Sequence, residues 1–384
     1  MKIICATSIP YAREAFAPLG ELQILDPRQI TSSVLKDADV LIARSTLKVN
    51  EALLEGTNVK FVGTCTIGYD HLDADYMGKR GIVWTAAPGC NANSVAEYVT
   101  AALLHLARKH NFTMRGKTIG IIGVGHVGSL VVKKSSALGM QVLLNDPPLF
   151  DLTGNACYRP LEEILFQANI LTVHVPLTKT GKYPTFHLAD LRFFERAKRH
   201  CILINAARGP IMNSDDFLKA RATGIVAQAV IDCWEKEPAF RLDVMQAADL
   251  ATPHIAGYSF EGRAMGTIQV YRELCSFLGI EPKLTLDAVL PPPPVPEINF
   301  DAAGKSDETA LAEIVGRVYD ISADDRDLRA FTPENEETRG KNFEKLRKNY
   351  HMRREFRFTR VILQNASAML AGTLRKLEFQ VANA

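Results

Sequence analysis

Three side chains in the second half of the sequence could together take a proton from an alcohol and hold a carboxylate group. His254 could act as the base, because histidine titrates near neutral pH. Glu237 could orient that imidazole and stabilise the imidazolium that forms when the base takes its proton. Arg208 has a planar fork of donors that could bind a carboxylate through two parallel hydrogen bonds. These residue types would serve a substrate that is both an alcohol and an acid.

The positions of these residues relative to the predicted strands favour a shared site. Taken singly, each residue type is more often found in a surface ion pair, and a lone histidine more often has a structural role. Arg208 follows the apolar run Ile202–Ile204, and Glu237 follows Ala229–Ile231. His254 follows the last apolar segment of the same series. Since the carboxyl ends of parallel strands form the ligand crevice of such a sheet, we expect the three side chains to meet there.

A glycine-rich loop in the middle of the chain has the spacing of a dinucleotide-binding turn. Gly123, Gly125 and Gly128 fit the pattern G-x-G-x-x-G, with His126 and Val127 before the third glycine. The pattern alone is weak, but here it follows an apolar strand and opens a predicted helix. The first glycine permits a tight turn, the second lets a pyrophosphate approach the backbone, and the third lets helix and strand pack closely. Phosphate charge would then meet amide donors at a helix N-terminus.

An acidic residue in the next predicted strand indicates which dinucleotide binds. Asp146 ends that strand, about 20 residues after the glycine loop, where a carboxylate accepts hydrogen bonds from the adenosine ribose. Because a carboxylate repels a 2′-phosphate, NAD is favoured over NADP. The alternative is a tight turn between strand and helix, with Asp146 beginning the turn before Pro147 and Pro148. The surrounding strands and helix favour the cofactor interpretation.

Apolar runs alternate with helix-like segments through most of the chain. In about the first 90 residues the runs are continuous, which indicates a parallel sheet covered on both faces. Ser94 and Glu97 have the spacing of a capping box and precede an apolar helical face, so we expect a helix that links two domains. A second strand and helix series follows it. The predicted fold class is therefore α/β, with two doubly wound parallel-sheet domains.

A proline-rich linker separates these domains from a C-terminal tail. The segment Leu290–Pro296 contains five prolines and cannot continue a helix or a central strand. Beyond it, an apolar helical face is formed by Leu311, Ile314, Val315, Val318 and Tyr319. A tail of fewer than about 90 ordered residues has little core of its own, so we expect these apolar side chains to pack against a second subunit. The sequence thus favours a homodimer.

The bulk composition is that of a soluble enzyme rather than a nucleic-acid binder. The 384 residues are 47% hydrophobic and 23% charged, with a formal net charge of +2, which argues against general nucleic-acid binding. The seven cysteines include no C-x-x-C pair, so we expect no metal site and a reducing compartment. The N-terminus turns polar within a few residues, and no apolar run is long enough to span a bilayer. We expect a cytoplasmic location and no membrane association.

The motifs around the three chemical residues resemble those of the D-2-hydroxyacid dehydrogenase family. The resemblance covers almost everything before the linker and is carried by the segments Ala206–Gly209, Asp232–Pro238 and Thr252–Gly257. The family's catalytic arginine, glutamate and histidine fall on Arg208, Glu237 and His254. The resemblance implies a flavodoxin-like substrate domain at 1–95 and 258–288, a Rossmann NAD domain at 96–257, and a small α+β dimerisation domain at 289–384.

Further site residues are implied by the same resemblance, position by position. Besides the glycine loop, Asp146 and Arg208, the NAD contacts would come from Val175, Ala206, Asp232 and Gly257. Ser45, Thr66 and Tyr258 would contact the substrate. Close relatives would have a threonine in place of Val175, so we expect only a backbone or apolar contact there. The sequence departs from the family pattern near the N-terminus, at Ala6–Ser8.

Within the family the likeness is greatest to an enzyme that acts on a small phosphorylated hydroxy acid. It rests on Ala87–Ala92, His254–Gly262, Lys345–Tyr350 and the dimerising tail. A phosphorylated substrate needs cationic or amide donors beyond Arg208. The candidates are Arg44, Lys48 and a basic tail run, although a run of this kind is usually a solvated helix face; the run comprises Lys345, Arg347, Lys348, Arg353 and Arg354. Two alternatives stay open: a dehydrogenase for another D-2-hydroxy acid, such as 3-phosphoglycerate, and an NAD-sensing corepressor-like protein.

Overall fold

A computed structural model describes residues 1–383 of the chain. Its strands are β1 (Lys2–Ala6), β2 (Glu21–Leu25), β3 (Val40–Ala43), β4 (Phe61–Thr64), β5 (Val83–Thr85), β6 (Thr118–Ile122), β7 (Gln141–Asn145), β8 (Ile170–Val173), β9 (Cys201–Asn205), β10 (Val226–Ile231), β11 (Leu250–Ala251), β12 (Glu297–Asp301), β13 (Arg360–Gln364) and β14 (Gln380–Asn383).

The α-helices lie mostly between these strands, as expected for parallel sheets. They are α1 (Ala12–Phe16), α2 (Ser32–Leu35), α3 (Glu51–Leu54), α4 (Ala74–Lys79), α5 (Ala92–His110), α6 (His126–Ala137), α7 (Pro147–Thr153), α8 (Leu161–Gln167), α9 (Leu191–Arg196), α10 (Ser214–Ala222), α11 (Leu242–Ala247), α12 (Phe260–Leu278), α13 (Asp307–Val318), α14 (Ile321–Ala330), α15 (Glu336–Lys348) and α16 (Ala368–Lys376). Short 3₁₀ turns occur at Ala17–Leu19, Pro27–Gln29, Gly209–Ile211 and Phe356–Phe358.

The chain forms two compact units, of which the first comprises Met1–Ala92 and Ser259–Pro292. Its parallel sheet has the strand order β2-β1-β3-β4-β5, which is the flavodoxin-like order. Strands β3 and β4 are buried along their whole length, as continuous apolar runs predict. Helix α12 packs on this sheet so closely that a Cβ at Gly63 would lie 2.3 Å from Val270 Cγ1. The unit therefore takes a late segment of the chain into its core.

The second compact unit comprises Asn93–Tyr258 and the chain from Pro293 onward. Its larger parallel sheet has the order β7-β6-β8-β9-β10-β11, and a bridge between Leu144 and Tyr158 occupies the place of one more strand beside β7. This is the Rossmann arrangement, in which the strand order reverses between β6 and β8. Strand β9 is buried at every position and lies near the middle of the sheet. The predicted fold class is confirmed for both sheets.

The C-terminal part of the second unit adds a small parallel sheet in the order β12-β13-β14, flanked by helices. Leu311, Ile314, Val315 and Tyr319 of the predicted apolar face belong to one buried cluster together with side chains of α5. The expectation that a second subunit covers this face was wrong, because α5 of the same chain already removes these side chains from water.

No helix within residues 1–383 has the length and apolar character needed to cross a membrane.

Candidate active site

The glycine loop between β6 and α6 has the backbone geometry that each glycine was expected to provide. Gly123 has φ +89°, and a Cβ there would lie 2.7 Å from the His174 carbonyl oxygen, so a side chain is excluded. A Cβ at Gly128 would lie 2.0 Å from the Gly123 carbonyl oxygen, which keeps α6 tight against β6. Around Gly125, by contrast, nothing lies within 4 Å of a Cβ position. The second glycine thus leaves the approach to the backbone open.

This loop presents amide donors to the open side. The N–H groups of His126 and Val127 belong to the first turn of α6, where the helix itself supplies no carbonyl partner. Gly125 and His126 are exposed, and the Val175 side chain closes the other side of the turn, 2.8 Å from a Cβ placed on Gly123. These donors at a helix N-terminus fit the pyrophosphate of a dinucleotide.

Asp146 links the glycine loop to the strand beside it. One carboxylate oxygen accepts from the Val124 N–H at 2.8 Å, and the other accepts from the Leu149 N–H at 3.0 Å and so caps α7. The side chain therefore begins a turn, as the alternative interpretation had it, while its carboxylate stays at the edge of the loop. Each carboxylate oxygen has a further lone pair, so a ribose hydroxyl can still donate to it.

The loop that carries Arg208 is held rigidly at the carboxyl end of β9. Asn205 is buried, accepts from the Ala207 N–H at 3.2 Å and donates to the Arg208 carbonyl oxygen at 3.2 Å. A Cβ at Gly209 would lie 1.9 Å from the Trp234 backbone, so this position requires glycine. The close approach fastens the Arg208 loop to the loop that follows β10. Ala206 lies partly exposed at the start of the same loop.

Glu237 and His254 are brought together from the ends of β10 and β11. A Glu237 carboxylate oxygen lies 2.7 Å from His254 Nδ1, and the other accepts from the Trp234 N–H at 2.7 Å. Burial opposes ionisation of Glu237, but the His254 charge and hydrogen bond outweigh it and hold the pKa of Glu237 below its ordinary value. An ionised Glu237 makes Nδ1 the protonated ring nitrogen, which leaves Nε2 to accept a proton.

Asp232 anchors the loop in which His254 lies. It is 1% exposed, and its carboxylate accepts from the Thr252 hydroxyl at 2.6 Å and from the N–H groups of Ile255 and Ala256 at 2.8 and 3.0 Å. His254 itself has φ +56°, a conformation that L-residues rarely adopt and that these bonds help to hold. The hydrogen bonds of the Asp232 carboxylate are thus made within the protein, to the loop that carries His254. Gly257 follows directly and is partly exposed.

Cys233, Glu237 and His254 also offer potential metal ligand atoms within 4.8 Å of one another. The Cys233 thiol, however, is 1% exposed and donates to the Ala207 carbonyl oxygen at 3.4 Å. Burial, followed by the charge of Asp232, raises the pKa of this thiol well above its ordinary value. Since a metal is bound by the thiolate, and His254 Nδ1 already pairs with Glu237, these residues fit a hydrogen-bonded dyad better than a cation site.

The C-terminal segment also supports this site, which the sequence did not indicate. Arg353 is 5% exposed, and its guanidinium donates to the carbonyl oxygens of Tyr258, Ser94 and Ala256 at 2.8, 2.7 and 3.0 Å. It therefore ties the segment after His254 to α5. In the sequence, Arg353 is one member of a basic run, and nothing local distinguishes it from the exposed Lys345 and Lys348.

The predicted substrate residues Ser45 and Thr66 lie in the first unit, after adjacent strands β3 and β4. Ser45 is exposed, and Thr66 is half-buried with its hydroxyl donating to the Gly68 carbonyl oxygen at 2.8 Å. Arg44 donates to the Ser8 carbonyl oxygen at 3.0 Å, while Lys48 is exposed. Tyr258 belongs to the second unit and is partly exposed.

Comparison with known families shows what the chain is similar to. Residues 95–256 match the family described as D-isomer specific 2-hydroxyacid dehydrogenase, NAD binding domain, and residues 289–377 match a domain of unknown function. The erythronate-4-phosphate dehydrogenase of Cronobacter sakazakii is 43% identical over 379 residues, 99% of this chain and 98% of that one.

Solved structures are similar in fold at lower identity. The NAD⁺-bound 3-phosphoglycerate dehydrogenase of Entamoeba histolytica aligns with a TM-score of 0.62 at 22% identity, covering 74% of this chain and 98% of its own. The NAD-dependent formate dehydrogenase of Staphylococcus aureus, in complex with NAD, has a TM-score of 0.59 at 24% identity, covering 74% of this chain and 98% of its own.

Proposed function

The chain belongs to the D-2-hydroxyacid dehydrogenase family and is an NAD-dependent oxidoreductase, and we propose that it oxidises 4-phospho-D-erythronate. The product would be (R)-3-hydroxy-2-oxo-4-phosphooxybutanoate, a step toward pyridoxal 5′-phosphate. The observation that carries this proposal is the likeness to enzymes of that activity over 99% of the chain, C-terminal part included. The Glu237–His254 dyad at the carboxyl ends of neighbouring strands supports the chemistry.

We propose that His254 is the catalytic base. Its Nε2 takes the proton of the C2 hydroxyl, the electron pair of the broken O–H bond forms the carbonyl, and the C2 hydrogen leaves as hydride. NAD, held at the glycine loop, would supply the acceptor for that hydride. Glu237 holds the imidazole by its Nδ1–H and stabilises the imidazolium, because the ionised carboxylate lies only 2.7 Å away.

We propose that Arg208 binds the C1 carboxylate of the substrate. A guanidinium pairs with a carboxylate through two parallel bonds, and its charge polarises the carbonyl that develops at C2. Asn205 and Gly209 hold the Arg208 backbone so that this group is positioned before substrate arrives. Arg208 also donates to the Ala207 carbonyl oxygen at 2.7 Å, which restricts its side chain.

For cofactor binding, we propose that the N-terminal turn of α6 holds the pyrophosphate and that Asp146 accepts from the ribose. The open Gly125 and the partly exposed residues that follow β8 and β9 support the complete set, which is Gly123, Gly125, His126, Val127, Gly128, Asp146, Val175, Ala206, Arg208, Asp232 and Gly257. Asp232 acts through the loop it anchors, since its carboxylate is already bonded. Ser45, Thr66 and Tyr258 remain proposed substrate contacts.

An absorbance assay for NADH decides the substrate. The purified protein is incubated with NAD and, separately, 4-phospho-D-erythronate, 3-phosphoglycerate, glycerate or lactate. The proposal expects the highest kcat/KM with 4-phosphoerythronate. Preference for another acid would reassign the substrate within the family, whereas tight NAD binding without any turnover would favour an NAD-sensing protein.

For domain roles and assembly, we propose that 1–95 with 258–288 bind substrate, 96–257 bind NAD and 289–384 form a homodimer. The exposed apolar side chains of Phe331 and Met369 support a subunit interface in the C-terminal part, away from the apolar face of α13 that α5 covers. Light scattering behind gel filtration tests the dimer, and a monomeric mass would contradict it.

We place the protein in the cytoplasm, because all seven cysteines are unpaired; cell fractionation tests this placement.

A further inference from the structure

One arginine of the basic tail run lies beside the catalytic dyad instead of on a solvated face. Arg347, in the last turn of α15, is half-buried, and its Nη2 donates to the Tyr258 hydroxyl at 3.3 Å. Its guanidinium carbon lies 5.9 Å from the centre of the Tyr258 ring and 5.8 Å from that of Phe343. The two rings hold the guanidinium in place by cation–π contacts, and the residue as a whole stays partly exposed.

In the described part of the chain Arg347 is not paired directly with a carboxylate, although its charge acts on Glu237. Within residues 1–383 its guanidinium forms no ion pair, whereas Arg329 pairs with Asp325 at 2.9 Å and Arg326 pairs with Asp320 at 3.2 Å. The buried Nε also lacks a hydrogen-bond partner. A partly buried cation that lacks a direct ion pair is stabilised when an anion binds beside it. The Arg347 site is therefore suited to an anionic ligand.

The position of Arg347 relative to the dyad indicates which anion would bind. The guanidinium is near enough to Glu237 and Cys233 for its charge to act on both, so it lies at the edge of the catalytic loop. In the proposed substrate the carboxylate and the phosphate are at opposite ends of the molecule, on either side of the reacting C2. One arginine cannot bind both ends, so a second cation is required.

We propose that Arg347 binds the phosphate group of the substrate and so selects phosphorylated over unphosphorylated hydroxy acids. The proposal rests on the proposed function above. A guanidinium matches the geometry of a phosphate better than an ammonium does. The other members of the run are less suited. Arg353 is committed to three backbone carbonyls, and Arg354 is buried with its guanidinium carbon 4.3 Å from the centre of the Phe358 ring. Lys345 and Lys348 are exposed.

The test compares two substrates that differ only in the phosphate. Arg347→Ala should raise KM for 4-phospho-D-erythronate roughly 10- to 100-fold, the value of a charge-assisted hydrogen bond. Because the Arg347 charge also acts on Glu237, kcat/KM for unphosphorylated D-erythronate should fall as well, but by about tenfold less than kcat/KM for the phosphorylated substrate. Arg347→Lys should recover part of the loss, because it restores the charge without the fork. Lys341→Ala is the matched control, since it removes a cation from the same helix at an exposed position.

Inorganic phosphate provides an independent readout that needs no turnover. Calorimetry of the NAD-bound protein should show phosphate binding that Arg347→Ala weakens and Lys341→Ala does not. Equal losses with the phosphorylated and unphosphorylated substrates would overturn the proposal, as would unchanged phosphate binding in Arg347→Ala. If the wild-type protein does not oxidise 4-phosphoerythronate, the proposed function fails, while the phosphate titration still decides whether Arg347 binds this anion.

Discussion

The glycine loop and the catalytic loops lie at the same edge of one sheet but are held in place by different means. The glycine loop is shaped by backbone approach: Gly123 and Gly128 leave no room for a side chain, and one carboxylate, Asp146, holds the turn. The loops that carry Arg208 and His254 are instead held by the buried polar side chains of Asn205 and Asp232. Steric fit thus dominates on the cofactor side, whereas the catalytic side combines one close approach, at Gly209, with hydrogen bonds from buried side chains.

Because of this difference, substitutions in the two regions should impair different functions. A side chain added at Gly123 or Gly128 collides with backbone, so the loop must shift and binding of the cofactor should suffer first. A change in the catalytic loops removes a specific proton acceptor or anchor while the cofactor turn stays intact. The two functions, NAD binding and proton transfer, should therefore be separable by single substitutions.

The largest effect is expected from His254→Ala on the catalytic side. Turnover should fall by roughly 10²- to 10⁴-fold, the usual contribution of general base catalysis, because no other group takes the C2 hydroxyl proton. NAD affinity, measured by calorimetry, should stay within about threefold of the wild type. Near-normal turnover in the variant would show that the base has been assigned to the wrong residue. The loop that carries His254 would then no longer be the catalytic side.

Gly128→Ala should weaken NAD binding by displacing the glycine loop. The new Cβ would lie 2.0 Å from the Gly123 carbonyl oxygen, so the loop must shift at a cost of about 1–3 kcal/mol. NAD affinity should fall by about 10- to 100-fold. Gly316→Ala, at a helical position with nothing within 4 Å of a Cβ, is the control. Calorimetry showing equal NAD affinity in both variants would mean that steric fit does not shape this loop.

Asp146→Asn should give a smaller, selective effect. The amide oxygen can still cap α7, but the amide nitrogen cannot accept from the Val124 N–H, which weakens the turn for either cofactor. The negative charge is also lost, so repulsion of a 2′-phosphate weakens. The ratio of kcat/KM for NAD over NADP should drop by about tenfold, equivalent to about 1.4 kcal/mol, which is typical of one screened charge pair. If kcat/KM falls equally with NAD and with NADP, Asp146 only stabilises the turn and does not select the cofactor.

The smallest effect on turnover is expected from Glu97→Gln, because Glu97 contacts the C-terminal segment at Phe356 and not the catalytic loops. Burial, followed by the charge of Glu355, raises the pKa of Glu97 to about 8. The folded protein thus retains a proton that the unfolded chain releases above about pH 4.5, the ordinary value, so Glu97 makes stability fall as pH rises from about 4.5 to 8.

Glutamine removes this titration while it can still accept from the Phe356 N–H, as Glu97 does at 3.0 Å. Denaturant unfolding at pH 5 and pH 8 should therefore show a smaller fall in stability for the variant than for the wild type. The exposed Glu336→Gln serves as the control. The same fall in both proteins would show that Glu97 does not titrate in this range.

Some expectations from sequence differed from the structure for local reasons. Ser94 and Glu97 have the spacing of a capping box, but α5 already begins at Ala92, so both lie inside the helix. Their side chains instead bind the C-terminal segment: Ser94 donates to Glu355 at 3.0 Å, and Glu97 accepts from the Phe356 N–H. A pattern over four residues cannot reveal a partner about 260 positions away.

The sequence by itself determined the parts of this protein that depend on neighbouring residues. Continuous apolar runs specified two parallel sheets, and the spacing of Gly123, Gly125 and Gly128 after a strand specified the cofactor turn, because steric demands there act within a few residues. The motifs around Arg208, Glu237 and His254 indicated the family.

Only the tertiary structure decided what surrounds those residues. It placed Glu237 against His254, committed the Asp232 carboxylate to the loop, and separated Arg347, beside Tyr258, from Arg353, which anchors the backbone. In the sequence the two arginines belong to one basic run. Their environments differ because burial and hydrogen bonding depend on which distant segments the fold brings against each of them.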